Sequence, residues 1–493
     1  MAEPVNKAST LPRPWRRLVS LVVGPVWALA ICLMPASDGL TTEAWRLVAL
    51  VGWMVFWWLG EAVPIPATAL LPIPMMPIFG IADMTSVGAN YGHPLIFLFM
   101  GGFLLAAAMQ RWGLHRRVAL KIISVVGTRP GQIVLGFMIA TAFLSMWISN
   151  TATTVMMFAV GLSVVEFVTQ KVADRSVATR FGVVLMLGVA YAASIGGVGT
   201  LIGTPPNAML ASFLESSYGL KIDFFTWMMI GVPIVFIMLP IAWVLLTKVI
   251  FPLCELSLGD VGKVIGEEKQ ALGRMSAGET AVAIVFTGAA VAWMLRKQIV
   301  DLSGLPINDT AIAISAALIL FLWPISLKDG IFALEWRDAK SIPWGVLLLF
   351  GGGLAIAGGF QSTGLAAWIG DQVSGLQTST MVLILVVTIA IVYLTEITSN
   401  TASTATFLPI LGAVAVGLAL DPRLLSIPVA LGASMAFMMP VATPPNAIVF
   451  SYEEMQLRDM VIAGFWLNIC AIIIIFTAMY FLVPIVFGLP LSK

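Results

Sequence analysis

Apolar stretches long enough to cross a bilayer recur along the chain, separated by short polar turns. The runs 18–34, 227–246 and 465–487 each approach or exceed the roughly 20 residues that a spanning helix requires. The pattern predicts spanning segments near 18–36, 44–62, 64–80, 94–111, 181–214, 224–250, 279–299, 308–327, 343–361, 427–450 and 461–487. Two further apolar blocks, 130–170 and 379–420, each carry a polar triad at the centre: Ser149-Asn150-Thr151 in SNTATTVMMFAVGL and Ser399-Asn400-Thr401 in SNTASTATFLPIL. One re-entrant hairpin or two full crossings fits each block equally, since both return the chain to the side it left. The first apolar run is followed by no convincing small-residue cleavage site and reads as a retained helix.

Composition agrees with the pattern. Of 493 residues 59% are hydrophobic and only 10% charged, against about 25% charged in an average soluble domain, so the chain is read as an all-α, polytopic membrane protein. The net charge of +1 and the lack of a basic stripe give no reason to expect a nucleic-acid partner. Cys32, Cys254 and Cys470 are too far apart to suggest a disulfide framework or a metal site. His93 and His115 stand alone and are expected to be structural. No His-Glu-x-x-His motif or Ser/Lys dyad supplies a nucleophile or an activated water, so an enzyme is not expected.

Loop charge sets an orientation. With a cytoplasmic N-terminus, twenty Lys and Arg fall on the inner side, while Arg46, Lys221, Arg296, Lys297, Arg423 and Lys493 fall outside. This positive-inside bias supports the segment count and leaves the C-terminus outside. RWGLHRRVALKII (111–123) interleaves basic and apolar residues, as in an amphipathic helix lying on the inner surface.

The chain is also written twice. FLFMGGFLLAAAMQRWGL (97–114) pairs with LLLFGGGLAIAGGFQSTGL (347–365), and the first triad with the second, both at an offset of 250; GTPPNAML (203–210) pairs with ATPPNAIV (442–449) at 239. The divisions expected are 1–43, an N-terminal segment and first helix; 44–254, a first repeat with its triad block and the segment 181–214; 255–278, a cytoplasmic connector; and 279–493, a second repeat with its triad block and the segment 427–450. Five spanning segments per half is an odd number, so the repeats are inverted, an arrangement that points to a transport site near the bilayer midplane. The small-residue runs MGGF and FGGGL (100–103 and 350–354) are expected at close helix crossings.

Paired prolines make SIGGVGTLIGTPPN (194–207) and FMMPVATPPN (437–446) poor continuous helix, so both segments should unwind at their centres. Within a membrane such breaks are tolerated only in a protein-buried or cavity-lining position. Ser, Thr and Asn are strong helix caps, and a helix start offers free amides and about half a positive charge to an anion. Two facing triads suit a ligand with two anionic ends. Their oxygens and the freed carbonyls also suit a hard cation. Neither triad nor either Pro-Pro-Asn segment contains Arg, Lys or His, so bound cations are expected to balance a dianion, which makes cation-coupled uptake the natural mechanism. Glu396, in TEITSNT, is the one acid near a triad; a structural hydrogen bond is the leading reading, beside ordering of the tip or tuning of a cation site.

The two Ser-Asn-Thr motifs, each followed by Thr-Pro-Pro-Asn, together with WMVFWWLGEAVPIPATALLP (53–72), resemble the divalent anion:sodium symporter family, above all its bacterial sodium-coupled dicarboxylate transporters. The resemblance runs from about Trp45 to the last helix. It implies eleven transmembrane helices plus two re-entrant hairpins, in a homodimer of the bacterial inner membrane whose transport domain moves as an elevator against a scaffold. Na+ would be a co-transported ion and not a tightly bound cofactor. One sodium site would use Ser145, Ser149, Asn150 and the loop carbonyl around Gly199, and the other Thr395, Thr398, Asn400 and the carbonyl of Ala442. Substrate carboxylates would meet Ser149, Asn150 and Thr151 on one side and Ser399, Asn400, Thr401, Thr443 and Pro444 on the other. Sodium-driven import of a C4 dicarboxylate such as succinate, malate or fumarate is the leading expectation. Sodium-independent exchange, carriage of sulfate or citrate, and a gated anion channel stay open beside it.

Overall fold

The structure, a computed structural model, describes residues 14–127, 129–171, 175–253, 261–373, 375 and 379–489. It is built almost wholly of helices. The two strands described, Pro324–Ser326 and Ile331–Phe332, form one small antiparallel hairpin. Eight helices among the described residues are long and apolar enough to cross a membrane, and the remaining apolar runs make shorter helices. Cys254, the start of the connector, Lys7, Arg13 and Lys493 lie outside the described residues.

Several predicted segments are subdivided where the local chemistry demands it. The run 64–80 splits at its prolines into the helices Ile65–Thr68 and Pro72–Ile78. The run 308–327 stops at Leu322, because Pro324 opens a strand, and 279–299 ends at Met294 before a separate polar helix, Arg296–Ser303.

Both triad blocks are helical hairpins. The first pairs Pro130–Ser145 with Asn150–Lys171, and the second pairs Thr380–Thr395 with Asn400–Gly417. The entering arm of each has 16 residues. At the helical rise this is about 24 Å, short of the ~30 Å hydrocarbon core, which suits a re-entrant turn better than a crossing.

Both Pro-Pro segments unwind. Arg175–Gly197 resumes as Pro205–Tyr218, and Arg423–Ala433 resumes as Pro444–Phe450. Every residue from 181 to 204 is buried, as expected of a helix with small or apolar residues on all sides at the centre of a bundle. A Cβ on Gly196 would stand 2.2 Å from the carbonyl oxygen of Ala142, so the first hairpin lies directly on the first broken helix. Crossings elsewhere are equally tight. A Cβ on Gly101 would meet the backbone of Ala313 at 2.7 Å, and one on Gly352 would meet the Ala69 oxygen at 2.4 Å, in keeping with the two small-residue runs.

The amphipathic stretch forms the helix Leu114–Val126, which packs against the connector helix Val261–Ala271. Arg117 ties the two together: its guanidinium donates to the carbonyls of Leu272, Gly273 and Arg274 and pairs with Glu279 at 2.7 Å. His93 caps its helix by accepting from the Leu95 amide at 3.4 Å, and His115 Nδ1 lies 3.1 Å from the Met109 carbonyl. Both histidines are structural.

Candidate functional site

The hairpin tips and the two unwound loops converge on one cavity of about 460 Å³. Its wall includes Ser149, Asn150 and Thr151 from the first tip, Ser399, Asn400 and Thr401 from the second, and Gly203–Pro206 and Ala442–Pro445 from the loops. Phe103, Ala106, Ala107 and Gln110 from the helix Pro94–Trp112, with Ser341–Pro343 and Val346 beside the start of Trp344–Ser362, close the other side. Among the described residues, none that lines the cavity is charged.

Each tip is a helix start whose first amides lack intrahelical carbonyls. Ser149 Oγ accepts from the Ala152 amide at 3.3 Å, while Ser399 makes no such cap bond. Thr204 and Thr443 stand at the starts of the resumed helices in nearly the same extended backbone conformation, φ −145°, ψ 144° and φ −141°, ψ 148°. Thr443 accepts from the Asn446 amide at 3.3 Å. Pro occupies the next two positions in both loops, so neither start has backbone donors there.

Behind each tip lies a cluster of oxygens. The amide atom of Asn150 that faces inward is 2.5 Å from Ser145 Oγ, 3.2 Å from the Gly203 carbonyl oxygen and 3.3 Å from that of Ala193. Ser145 Oγ is itself 2.7 Å from the Ala193 oxygen. Turned nitrogen-inward, the amide donates to these groups; turned oxygen-inward, it completes a set of four oxygens of the kind hard cations take. The second tip repeats the layout: Thr395 Oγ1 is 2.7 Å from Asn400 Oδ1 and 3.1 Å from the Ala433 carbonyl oxygen. Asn150 and Asn400 both line the cavity as well, so each side chain stands between an oxygen cluster and the central space.

The asparagines of the Pro-Pro-Asn motifs hold the loops open. Asn207 Nδ2 donates to the carbonyls of Gly197, Val198 and Thr200 at 3.1, 3.3 and 2.8 Å, and Asn446 Nδ2 to those of Ala436 and Met439 at 3.2 and 3.0 Å. These are carbonyls that unwinding frees from the helix, and at membrane depth they need such partners.

Glu396, 4% exposed, grips the second loop. Its Oε1 accepts from the amides of Phe437 at 2.7 Å and Met438 at 3.0 Å and from Asn468 Nδ2 at 2.7 Å, and its Oε2 accepts from Met438 and Met439 at 3.0 Å each. The position 250 residues earlier is Met146, whose carbonyl accepts a hydrogen bond from the Thr200 hydroxyl.

The sequence of the chain matches the family described as the sodium:sulfate symporter transmembrane region over residues 14–489. The chain belongs to this family. It is one of transport proteins and not of enzymes, and its members are integral to the membrane. The chain is 41% identical over 484 residues to the sodium-dependent dicarboxylate transporter SdcS of Staphylococcus saprophyticus, covering 97% of this chain and 93% of that one. A Staphylococcus aureus protein of the same name is 39% identical over the same shares. Among solved structures, the YdaH transporter of Alcanivorax borkumensis matches with a TM-score of 0.57 at 14% identity, covering 92% of this chain and all of that one. MtrF of Neisseria gonorrhoeae matches with a TM-score of 0.56 at 12% identity, covering 96% of each. At these identities the two structures speak for the fold alone.

Against the residues expected for this family, the geometry brings together both triads, Ser145, Thr395, Ala442, Thr443 and Pro444. Two stand apart. Gly199 packs beside Met146 and does not line the cavity; the loop carbonyl beside Asn150 is that of Gly203. The Thr398 hydroxyl donates to the Leu394 carbonyl at 2.8 Å and lies 2.6 Å from Ser403 Oγ, so it is engaged within its own hairpin. Sequence reasoning also missed the carbonyls of Ala193, four residues before the first broken helix pauses at Gly197, and of Ala433, the last residue of the first arm of the second. The repeat could have found Gly203, since it is the mate of Ala442 in the paired GTPPN and ATPPN motifs.

Proposed function

We propose that this protein imports C4 dicarboxylates such as succinate, malate and fumarate, driven by sodium. One observation carries the reading: at two mirrored tips an asparagine stands between an oxygen cluster and a cavity that no charged side chain lines among the described residues. A dianion in such a cavity needs cations to balance it, and helix starts with hydroxyls and amides to hold its two ends. The names of the SdcS relatives agree with this chemistry. Sodium would occupy the clusters built on Ser145, Asn150, Ala193 and Gly203 and on Thr395, Asn400, Ala433 and Ala442. The carboxylates would meet Asn150 and Thr151 at one tip, and Ser399, Asn400, Thr401 and Thr443 at the other.

Positive-inside charge supports a cytoplasmic N-terminus and an outer C-terminus. On that orientation the cavity is walled by the inner ends of Pro94–Trp112 and Trp344–Ser362, next to Arg111 and Lys340, so it faces the cytoplasm. The reading includes two inverted repeats, 44–254 and 279–493, joined by the connector 255–278, and a homodimer whose hairpins and broken helices move as a unit against the scaffold. The test is radiolabelled succinate uptake into proteoliposomes under an inward sodium gradient against an equal potassium gradient. Accumulation with sodium alone is the expected result. Equal uptake in both, with counterflow from preloaded vesicles, would favour exchange and overturn the proposal.

A further inference from the structure

We propose that Glu61 forms a peripheral sodium site at the inner mouth of a second cavity, by which sodium reaches and leaves the second oxygen cluster from the cytoplasm without passing the dianion. The inference rests on the reading of that cluster, built on Thr395, Asn400, Ala433 and Ala442, as a sodium site. It concerns a part of the molecule outside the central cavity.

Beside the second tip lies another cavity, of about 630 Å³. One wall is the end of the helix Thr42–Gly60, with Trp58 and Glu61, and the other is the second tip and loop. Ser399, Ala442, Thr443 and Pro444 line this cavity and the central one alike, so the tip and loop form a thin partition between the two. The two spaces differ in charge. Among the described residues no charged side chain lines the central cavity, while the second cavity has one charged lining residue, Glu61. With a cytoplasmic N-terminus the helix Thr42–Gly60 runs inward, which puts Glu61 at its cytoplasmic end. Glu61 belongs to the stretch 53–72, of which no described residue lines the central cavity.

Local structure alone argues against a glutamate at this position. Glu61 caps its helix in the left-handed conformation, φ 48°, ψ 39°, one of two non-glycine residues with positive φ among those described. Glycine adopts that conformation without strain, and a residue with a Cβ does not. The position is also the negative end of the helix, where the last carbonyls lack intrahelical partners and a carboxylate is repelled. No ion pair offsets these costs. Among the described residues the carboxylate has no hydrogen-bond or salt-bridge partner, and Arg17 spends its Nε on the Ala62 carbonyl at 3.0 Å. Carboxylate and helix end together make a corner that attracts cations, and a cation held there relieves the repulsion between them. The same corner repels a dianion, so the second cavity admits sodium and turns the other cargo away.

The two faces of the membrane separate this route from the site it serves. Initial rates of succinate entry at varied bath sodium are measured in right-side-out and inside-out membrane vesicles of a bacterium without a dicarboxylate carrier of its own. Glu61→Gln keeps the size of the side chain and removes its charge, while Glu61→Asp keeps the charge. In inside-out vesicles, where the cytoplasmic face meets the bath, Glu61→Gln is expected to raise the half-saturating sodium concentration about three- to tenfold at low ionic strength. Added choline chloride should shrink that shift, since screening weakens the pull of a charge and would leave a merely structural defect in place. In right-side-out vesicles the half-saturating sodium should stay within about twofold of the parent. Glu61→Asp should resemble the parent on both faces. A Glu61→Gln protein with the parent's sodium dependence at the cytoplasmic face overturns the proposal, as does an equal shift on both faces or one that added salt leaves unchanged. Should Glu61→Gln not reach the membrane, Glu61→Gly, relieved of the backbone strain, takes its place with the same expected outcome. A parent protein whose succinate transport ignores sodium on both faces would instead refute the sodium reading itself.

Discussion

Replacing Glu396 with Gln keeps the shape of the side chain and changes one oxygen into an N–H donor. Both carboxylate oxygens now face only donors, namely the amides of Phe437, Met438 and Met439 and the Asn468 side chain. Whichever way the new amide turns, its NH2 meets at least one of these N–H groups head-on. An orphaned buried donor costs about 1–3 kcal/mol. The bonds that remain lose their charge assistance and fall to roughly half their strength. Together the loss is about 2–4 kcal/mol, large against a net stability of about 5–15 kcal/mol. It falls on the segment that carries Ala442 and Thr443 into the cavity, so the effect should appear both as a lower melting temperature and as weaker succinate uptake. Thermal unfolding of purified Glu396→Gln and Glu396→Ala in detergent, followed by tryptophan fluorescence, reads the first; uptake at low and saturating succinate reads the second. Glu396→Ala, which abandons all three amides, should be the worse of the two. A Glu396→Gln protein that melts within a degree of the parent and transports normally would refute the reasoning, since the loop would then not depend on the carboxylate.

Asn150→Ala and Asn400→Ala should each abolish the sodium-induced rise in melting temperature at their own tip and raise succinate KM at the same time; normal transport at low sodium by both would exclude the proposed clusters. Gly196→Ala places a Cβ 2.2 Å from the Ala142 oxygen, a backbone atom that no rotamer change can move aside, so little monodisperse protein and no uptake are expected in size-exclusion and transport assays. Arg117→Ala removes the partner of Glu279 and three carbonyl contacts and should cost about 2 kcal/mol in thermal unfolding. The double variant with Glu279→Ala should recover part of that loss, and strict additivity would deny the coupling.

Much of this was legible from the chain. The triads at equal offsets, with paired prolines downstream of each, located the tips and the unwound loops, because duplication separates a site from incidental polar residues and Pro-Pro has one physical meaning inside a helix. What the sequence hid was carried by the backbone. The carbonyls of Ala193, Gly203 and Ala433 have no side-chain mark of their own, and only the geometry of helix ends and loops aims them at Asn150 and Thr395. Glu396 was visible as a suspect, but most of its partners are main-chain amides some forty residues away, and the other is the side chain of Asn468. Thr398 entered only through the family resemblance, and in the structure its hydroxyl donates to the Leu394 carbonyl of its own helix.

The placement of Asn150 and Asn400 bears on leakage. A carrier that moves its two cargoes independently dissipates the gradient that drives it. On the proposed reading one amide would answer to both: with its oxygen committed to a cation, its nitrogen would be offered to a carboxylate, and an amide turned the other way would set an oxygen against the anion. The penalty is mutual, because any factor by which sodium improves the grip on the dianion must equal the factor by which the dianion improves the grip on sodium. Stoichiometric fidelity would then reside in two side chains that cannot face both ways at once, with no separate gate needed to enforce it.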